Sequence, residues 1–71
     1  MAEEVRAELV ANIARVEVAV GDQVAPGTMV VLLESMKMEI PVLAEHGGRV
    51  VEITVQPGDV VQEGDTLVVL E

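Results

Sequence analysis

Seventy-one residues, 51% of them apolar, make one small domain: too short for a second core and too apolar for a disordered chain. There is no Phe, Tyr, Trp or Cys, so the expected core is Val, Leu, Ile, Met and Ala, and no disulfide or thiolate metal site can hold it together. Thirteen acids against four bases give a net charge of −9, which excludes a phosphate-binding surface of clustered cations and predicts a well-solvated monomer.

The first segment, "MAEEVRAEL", opens with acids and lacks the basic start and apolar stretch of a signal peptide. No apolar run approaches the roughly 20 residues of a membrane span, so a cytoplasmic protein is expected. Strict alternation follows in "RVEVAV" (15–20), with Val16, Val18 and Val20 facing one way and Arg15 and Glu17 the other. "MVVLL" (29–33) reads as a more completely buried strand, and "EIPVL" (39–43) as a further extended segment. "VEITV" (51–55) repeats the alternation and "TLVVL" (66–70) the buried run. Glycines and prolines punctuate these segments and none has helical periodicity, which predicts an all-β protein.

The two halves match. "GDQVAPGTMVVLLE" (21–34) aligns without gaps to "GDVVQEGDTLVVLE" (58–71), identical at seven of fourteen positions with a period of 37 residues. Two copies are too few for a solenoid, so the expected solution is two similar sheets packed face to face, each completing the other's core. In the repeated "GDxVxxG", Gly21-Asp22 and Gly58-Asp59 are expected to be turns and Val24 and Val61 core plugs. A phosphate loop would need a following helix, and a calcium loop alternating acids; neither pattern is present.

Lys37, the only lysine, lies between Leu33 and "EIPVL" at the junction of the copies, in "ESMKMEIP" (34–41). The pseudo-symmetry predicts a tight, solvent-exposed turn at the opposite end of the sandwich from the chain termini. Two-residue hairpin turns normally recruit Asn-Gly or a glycine pair, because their central residues need positive φ. "SMKM" offers none, and a broken local rule in an otherwise consistent sequence points to function. Two methionines there add adaptable apolar surface for a partner. His46 beside Gly47-Gly48 is expected to be a loop histidine, since no Cys or suitably placed Ser accompanies it and nearby acids are too sparse for a metal site. No catalytic residue of the chain's own is expected.

"ESMKMEIPV" resembles the attachment motif Glu-Ala/Ser-Met-Lys-Met of biotin carboxyl carrier domains, and the flanking copies are similar to the rest of that family over roughly residues 8 to 71. The resemblance implies a flattened barrel, or barrel-sandwich hybrid, of two four-stranded antiparallel sheets, with residues 1–71 as one biotinyl-attachment domain. It implies biotin in amide linkage on Lys37, with Met36 and Met38, flanked by Glu34, Ser35 and Glu39, recognised by biotin protein ligase. Its further partners would be a biotin carboxylase, which loads CO2 onto the biotin ring, and a carboxyltransferase, which passes it to an acyl-CoA or 2-oxo acid. The similar lipoyl domains typically carry Asp before the lysine and Ala after it, so Met36 and Met38 favour biotin over a lipoyl carrier; an unmodified binding module of the same fold is the remaining alternative. "LVANI" (9–13) departs from the Pro-Met-Pro-Gly-type stretch of many members, with Ala11 where Gly is usual, which bears on local turn geometry and not on the lysine. The short stretch from Val24 to Leu33 has no room for the protruding thumb of some bacterial members.

Overall fold

The computed structural model describes residues 2–71. Eight strands follow in order: β1 (Glu3–Arg6), β2 (Ala11–Val16), β3 (Gln23–Val24), β4 (Met29–Ser35), β5 (Met38–Leu43), β6 (Gly48–Ile53), β7 (Val60–Val61) and β8 (Thr66–Leu70). They form two four-stranded antiparallel sheets, β1-β8-β6-β3 and β5-β4-β2-β7. The all-β expectation and the two sheets are therefore observed. The copies, however, do not form one sheet each. Every sheet draws two strands from each half, because the short "GDxV" strand of one copy pairs with the long strand of the other: Val24 opposite Gly48, and Val61 opposite Ala11.

The repeat is a structural twofold. Ile13–Leu33 and Val50–Leu70 are equivalent pairs 37 residues apart, as are Arg15–Leu32 and Glu52–Val69. Even the bulges repeat, between Ile13 and Arg15 and between Val50 and Glu52. Bulges strengthen twist and bend strands, and this matched set curves both sheets around one core. Val30, Val31, Leu33, Val50, Leu67, Val68 and Leu70 are fully enclosed, with Val24 and Val61 plugging the core as expected. Among the described residues no methionine joins that core: Met29 is half-buried and Met36 and Met38 are exposed.

Alternation in "VEITV" holds, with Val51, Ile53 and Val55 half-buried and Glu52 and Thr54 exposed. "RVEVAV" holds only in part. Its strand begins earlier, at Ala11, and ends at Val16, and Val20 is exposed. Val20 has turned outward because the chain must reverse there: the amide of Asp22 donates to the Ala19 carbonyl, and its carboxylate accepts from the Ala19 amide. Asp59 closes on Gln56, and Asp65 on Gln62, with the same two bonds. The repeated aspartates are thus turn clamps. Ala11 lies buried in β2 with ordinary backbone, so its departure from glycine is accommodated.

Gly47 and Gly48 are obligatory. Both have positive φ, 87° and 135°, and an added Cβ would come within 2.6 Å of the Val24 carbonyl oxygen and 2.7 Å of the Glu71 carbonyl oxygen respectively. Beside them, Glu3 pins the N-terminal strand by accepting bonds from the amides of Glu45 (2.8 Å), His46 (3.0 Å) and Gly47 (3.2 Å).

Candidate functional site

Strands β4 and β5 form the longest hairpin, paired from Met29–Leu43 to Ser35–Met38, with a bulge between Met29 and Val31 and unbroken register from Val31–Val42 up to the turn. Only Met36 and Lys37 remain to turn the chain. Their φ values, 52° and 65°, are the only positive ones among described residues other than glycine. Two successive left-handed residues between paired strands make a type I′ turn, whose twist suits a hairpin but whose positions disfavour side chains with a Cβ. The strand pairing on both sides holds this turn in place, so Lys37 stands on a stiff loop.

The described ends of the chain lie far away. Glu3 bonds the 45–47 segment and Glu71 pairs with Arg49, whereas Lys37 caps the other end of β5, six residues or roughly 20 Å distant. Lys37 is exposed, and among the described residues it takes part in neither ion pair and in no side-chain hydrogen bond. Met36 is 89% exposed and Met38 61%. Glu34 and Glu39 face each other as a cross-strand pair just below the turn, both exposed, and half-buried Ser35 pairs with Met38. All six residues singled out from the motif therefore meet at one tip.

Electrostatically the tip is acidic. Besides Lys37 itself, Arg15 on β2 feels the Glu39 charge. Its guanidinium donates to Glu17 at 2.7 Å, and that bond, the Glu17 charge and, less strongly, the Glu39 charge hold its pKa above the ordinary arginine range. Two further residues share the outer face of this sheet and were not singled out from the motif. Asn12 lies opposite both Glu34 and Val60, giving one exposed row, Glu39–Glu34–Asn12–Val60, across all four strands. The signal that could have found Val60 is a comparison of the copies, where Gln23 takes its place.

His46 is an exposed bend residue, and no cluster of His, Cys, Asp or Glu able to hold a metal occurs among the described residues. A groove of about 270 Å³ runs between the edge strands β1 and β5, lined by residues that include Leu9, Ile40 and Val42 but not Lys37. No helix among the described residues is long and apolar enough to cross a membrane. An exposed amine on a rigid turn, outside that groove, suits a covalent attachment point read by visiting proteins.

Comparison with known proteins agrees with that geometry. The model of the family described as "Biotin-requiring enzyme" matches residues 3–70. The chain is 56% identical over 70 residues to the biotinylated protein TB7.3 homolog of Mycobacterium leprae, spanning 99% of both chains. It is 46% identical to the biotin/lipoyl attachment protein of Bacillus subtilis, over 89% of this chain and 86% of that one. Among solved structures, Kluyveromyces lactis urea carboxylase contains a similar fold with a TM-score of 0.93 and 35% identity, covering all of this chain and 6% of that enzyme. The lipoyl domain of the Azotobacter vinelandii 2-oxoglutarate dehydrogenase complex superimposes less closely, with a TM-score of 0.70 and 30% identity over 83% of this chain and 75% of that one.

Proposed function

Because this chain belongs to the biotin- and lipoyl-attachment family, we propose that it is a biotin carrier in which residues 1–71 form one attachment domain and Lys37 bears the cofactor. The observation that carries this reading is the type I′ turn, which sets a solvent-exposed lysine, free of ion pairs among the described residues, between two exposed methionines at the apex of a stiff hairpin.

A lysine amine is cationic at neutral pH and a poor nucleophile, so acylation calls for biotin protein ligase to supply an activated biotin carboxyl group and accept the proton. The Lys37 nitrogen forms the amide, the activating group leaves, and the side chain loses its charge. When bound, biotin supplies the ring that takes up and gives back CO2. The chain itself holds the tether: the β4–β5 ladder fixes where the arm begins, while the long linkage raises the concentration of the ring at any site within reach. Met36 and Met38, with Glu34, Ser35 and Glu39, form the surface that the ligase reads. The carboxylase names among the relatives, such as the biotin-dependent acyl-coenzyme A carboxylase alpha3 subunit of Mycobacterium leprae, support a biotin carboxylase and a carboxyltransferase as the enzymes it serves; its proposed place of action is the cytoplasm.

The test is intact-mass measurement of protein from its native cells, for wild type and Lys37→Arg. One biotinyl increment on wild type and none on the variant is expected. A lipoyl increment, or none on wild type, overturns the biotin reading, and avidin retention that survives Lys37→Arg overturns the assignment to Lys37.

A further inference from the structure

Oxidants that transfer oxygen to sulfur have few targets in this chain. It holds no Cys, Trp, Tyr or Phe, and four methionines supply its only sulfur atoms. Among the described residues, Met36 is 89% exposed and Met38 61%. Met29 is half-buried at the other end of β4, six residues or roughly 20 Å from the turn. The buried core cluster consists of Val, Leu, Ile and Ala alone.

Oxygen added to a core methionine breaks packing. Here the enclosed residues offer no sulfur, and the well-exposed thioethers are the two that flank Lys37. The fold does not call for a thioether there, since a type I′ turn prefers Asn or Gly where Met36 stands. Leucine would offer a ligase comparable apolar area. What methionine adds is flexibility and a sulfur that can be oxidised and restored.

We propose that Met36 and Met38 form a reversible oxidation site that gates the loading of Lys37, with a neutral hydroperoxide as the oxidant. This inference rests on the biotin-carrier reading above, in which a ligase reads these two side chains. The thioether sulfur takes the terminal oxygen of the hydroperoxide: the S–O bond forms as the O–O bond breaks. Sulfur is oxidised by two electrons and hydrogen peroxide is reduced to water. Glu34 and Glu39, facing each other below the turn of a chain with net charge −9, disfavour anionic oxidants. The sulfoxide is polar and chiral, so a ligase contact made for apolar thioethers then buries an unpartnered oxygen. The Lys37 amine and the strand ladder are untouched, and recognition weakens without loss of the attachment chemistry. A methionine sulfoxide reductase reverses the step, its dithiol becoming a disulfide as the oxygen leaves in water.

The test is hydrogen peroxide treatment of the unmodified protein and removal of the oxidant with catalase. Peptide mapping by mass and steady-state biotinylation by a biotin protein ligase, at varied carrier concentration, then follow. Mapping is expected to find oxygen on Met36 and Met38 before Met29, with the far-ultraviolet circular dichroism unchanged. KM for the carrier is expected to rise about tenfold, as burial of an unpartnered polar group implies, and to return after methionine sulfoxide reductase with a dithiol. Met36→Leu/Met38→Leu, whatever its own KM, is expected to keep that value through peroxide although Met1 and Met29 remain. Met29→Leu is expected to respond like wild type. The inference alone is overturned by oxidation of Met29 as fast as Met36 and Met38, by loss of the β signal, by an unchanged KM in oxidised wild type, or by an equal rise in the double leucine variant. Failure of untreated wild type to accept biotin overturns the carrier reading and this inference with it.

Discussion

The left-handed turn stores free energy that a designed substitution recovers. Met36 and Lys37 hold φ values of 52° and 65°, and for residues with a Cβ this conformation costs about 1–2 kcal/mol each. Met36 is 89% exposed, so its removal forfeits almost no packing, and Lys37 has no ion pair among the described residues to lose. Replacing the pair by Asn-Gly, the residues a type I′ turn prefers, relieves the second position fully and the first in part, since Asn keeps a Cβ. Glycine returns about 0.4–1 kcal/mol of that gain as unfolded-chain entropy, leaving a net stabilisation of about 1–2 kcal/mol. In a chain of this size that raises Tm by roughly 5–15 °C. With no Trp, Tyr or Phe, intrinsic fluorescence is silent, and the assay is urea and thermal unfolding by far-ultraviolet circular dichroism or calorimetry. Met36→Asn/Lys37→Gly is expected to be more stable and unable to accept biotin. An equal or lower midpoint would refute the claim that function, not folding, retains Met-Lys at this turn.

Glu3 couples the N-terminal strand to pH. Partial burial raises its pKa, but the bonds from the Glu45, His46 and Gly47 amides and the His46 charge outweigh that and hold it below the ordinary glutamate range. Its stabilisation is therefore present above the unfolded-state pKa and lost as pH falls through the lower folded value. Glu3→Gln is expected to cost about 1 kcal/mol at pH 7, allowing for solvent screening; the gap to wild type closes in acid, and parallel pH profiles by urea titration would contradict this. Gly47→Ala must place a Cβ 2.6 Å from the Val24 carbonyl at φ 87°, and a loss of about 2–4 kcal/mol is expected from the strain and the displaced backbone. Chemical denaturation measures it, and a loss below 1 kcal/mol would mean that the β5–β6 connection moves freely.

The motif residues and the lysine turn were legible in advance because they depend on local pattern: period-two valines, turn dipeptides, and one lysine between methionines where a glycine would be expected. The 37-residue repeat likewise announced a twofold before any coordinates. Other features were hidden because they depend on residues distant in the chain. Strand β1 was missed because "EEVR" has only Val5 as a core residue, and it becomes a strand by pairing with β8 and by the Glu3 bonds to a loop more than forty residues on. The exchange of strands between copies was hidden for the same reason, since two-residue strands such as β3 and β7 carry no periodicity of their own.

Alone, then, the amino-acid order determined that this chain is all-β, duplicated and turned at Lys37, because alternation, turn chemistry and repetition act between neighbours. Tertiary structure decided which sheet each strand joins, which glycines are indispensable, and that Asn12 and Val60 share a face with the acids below the lysine. Those outcomes follow from strand register, which brings residues together across the sheet irrespective of their separation along the chain.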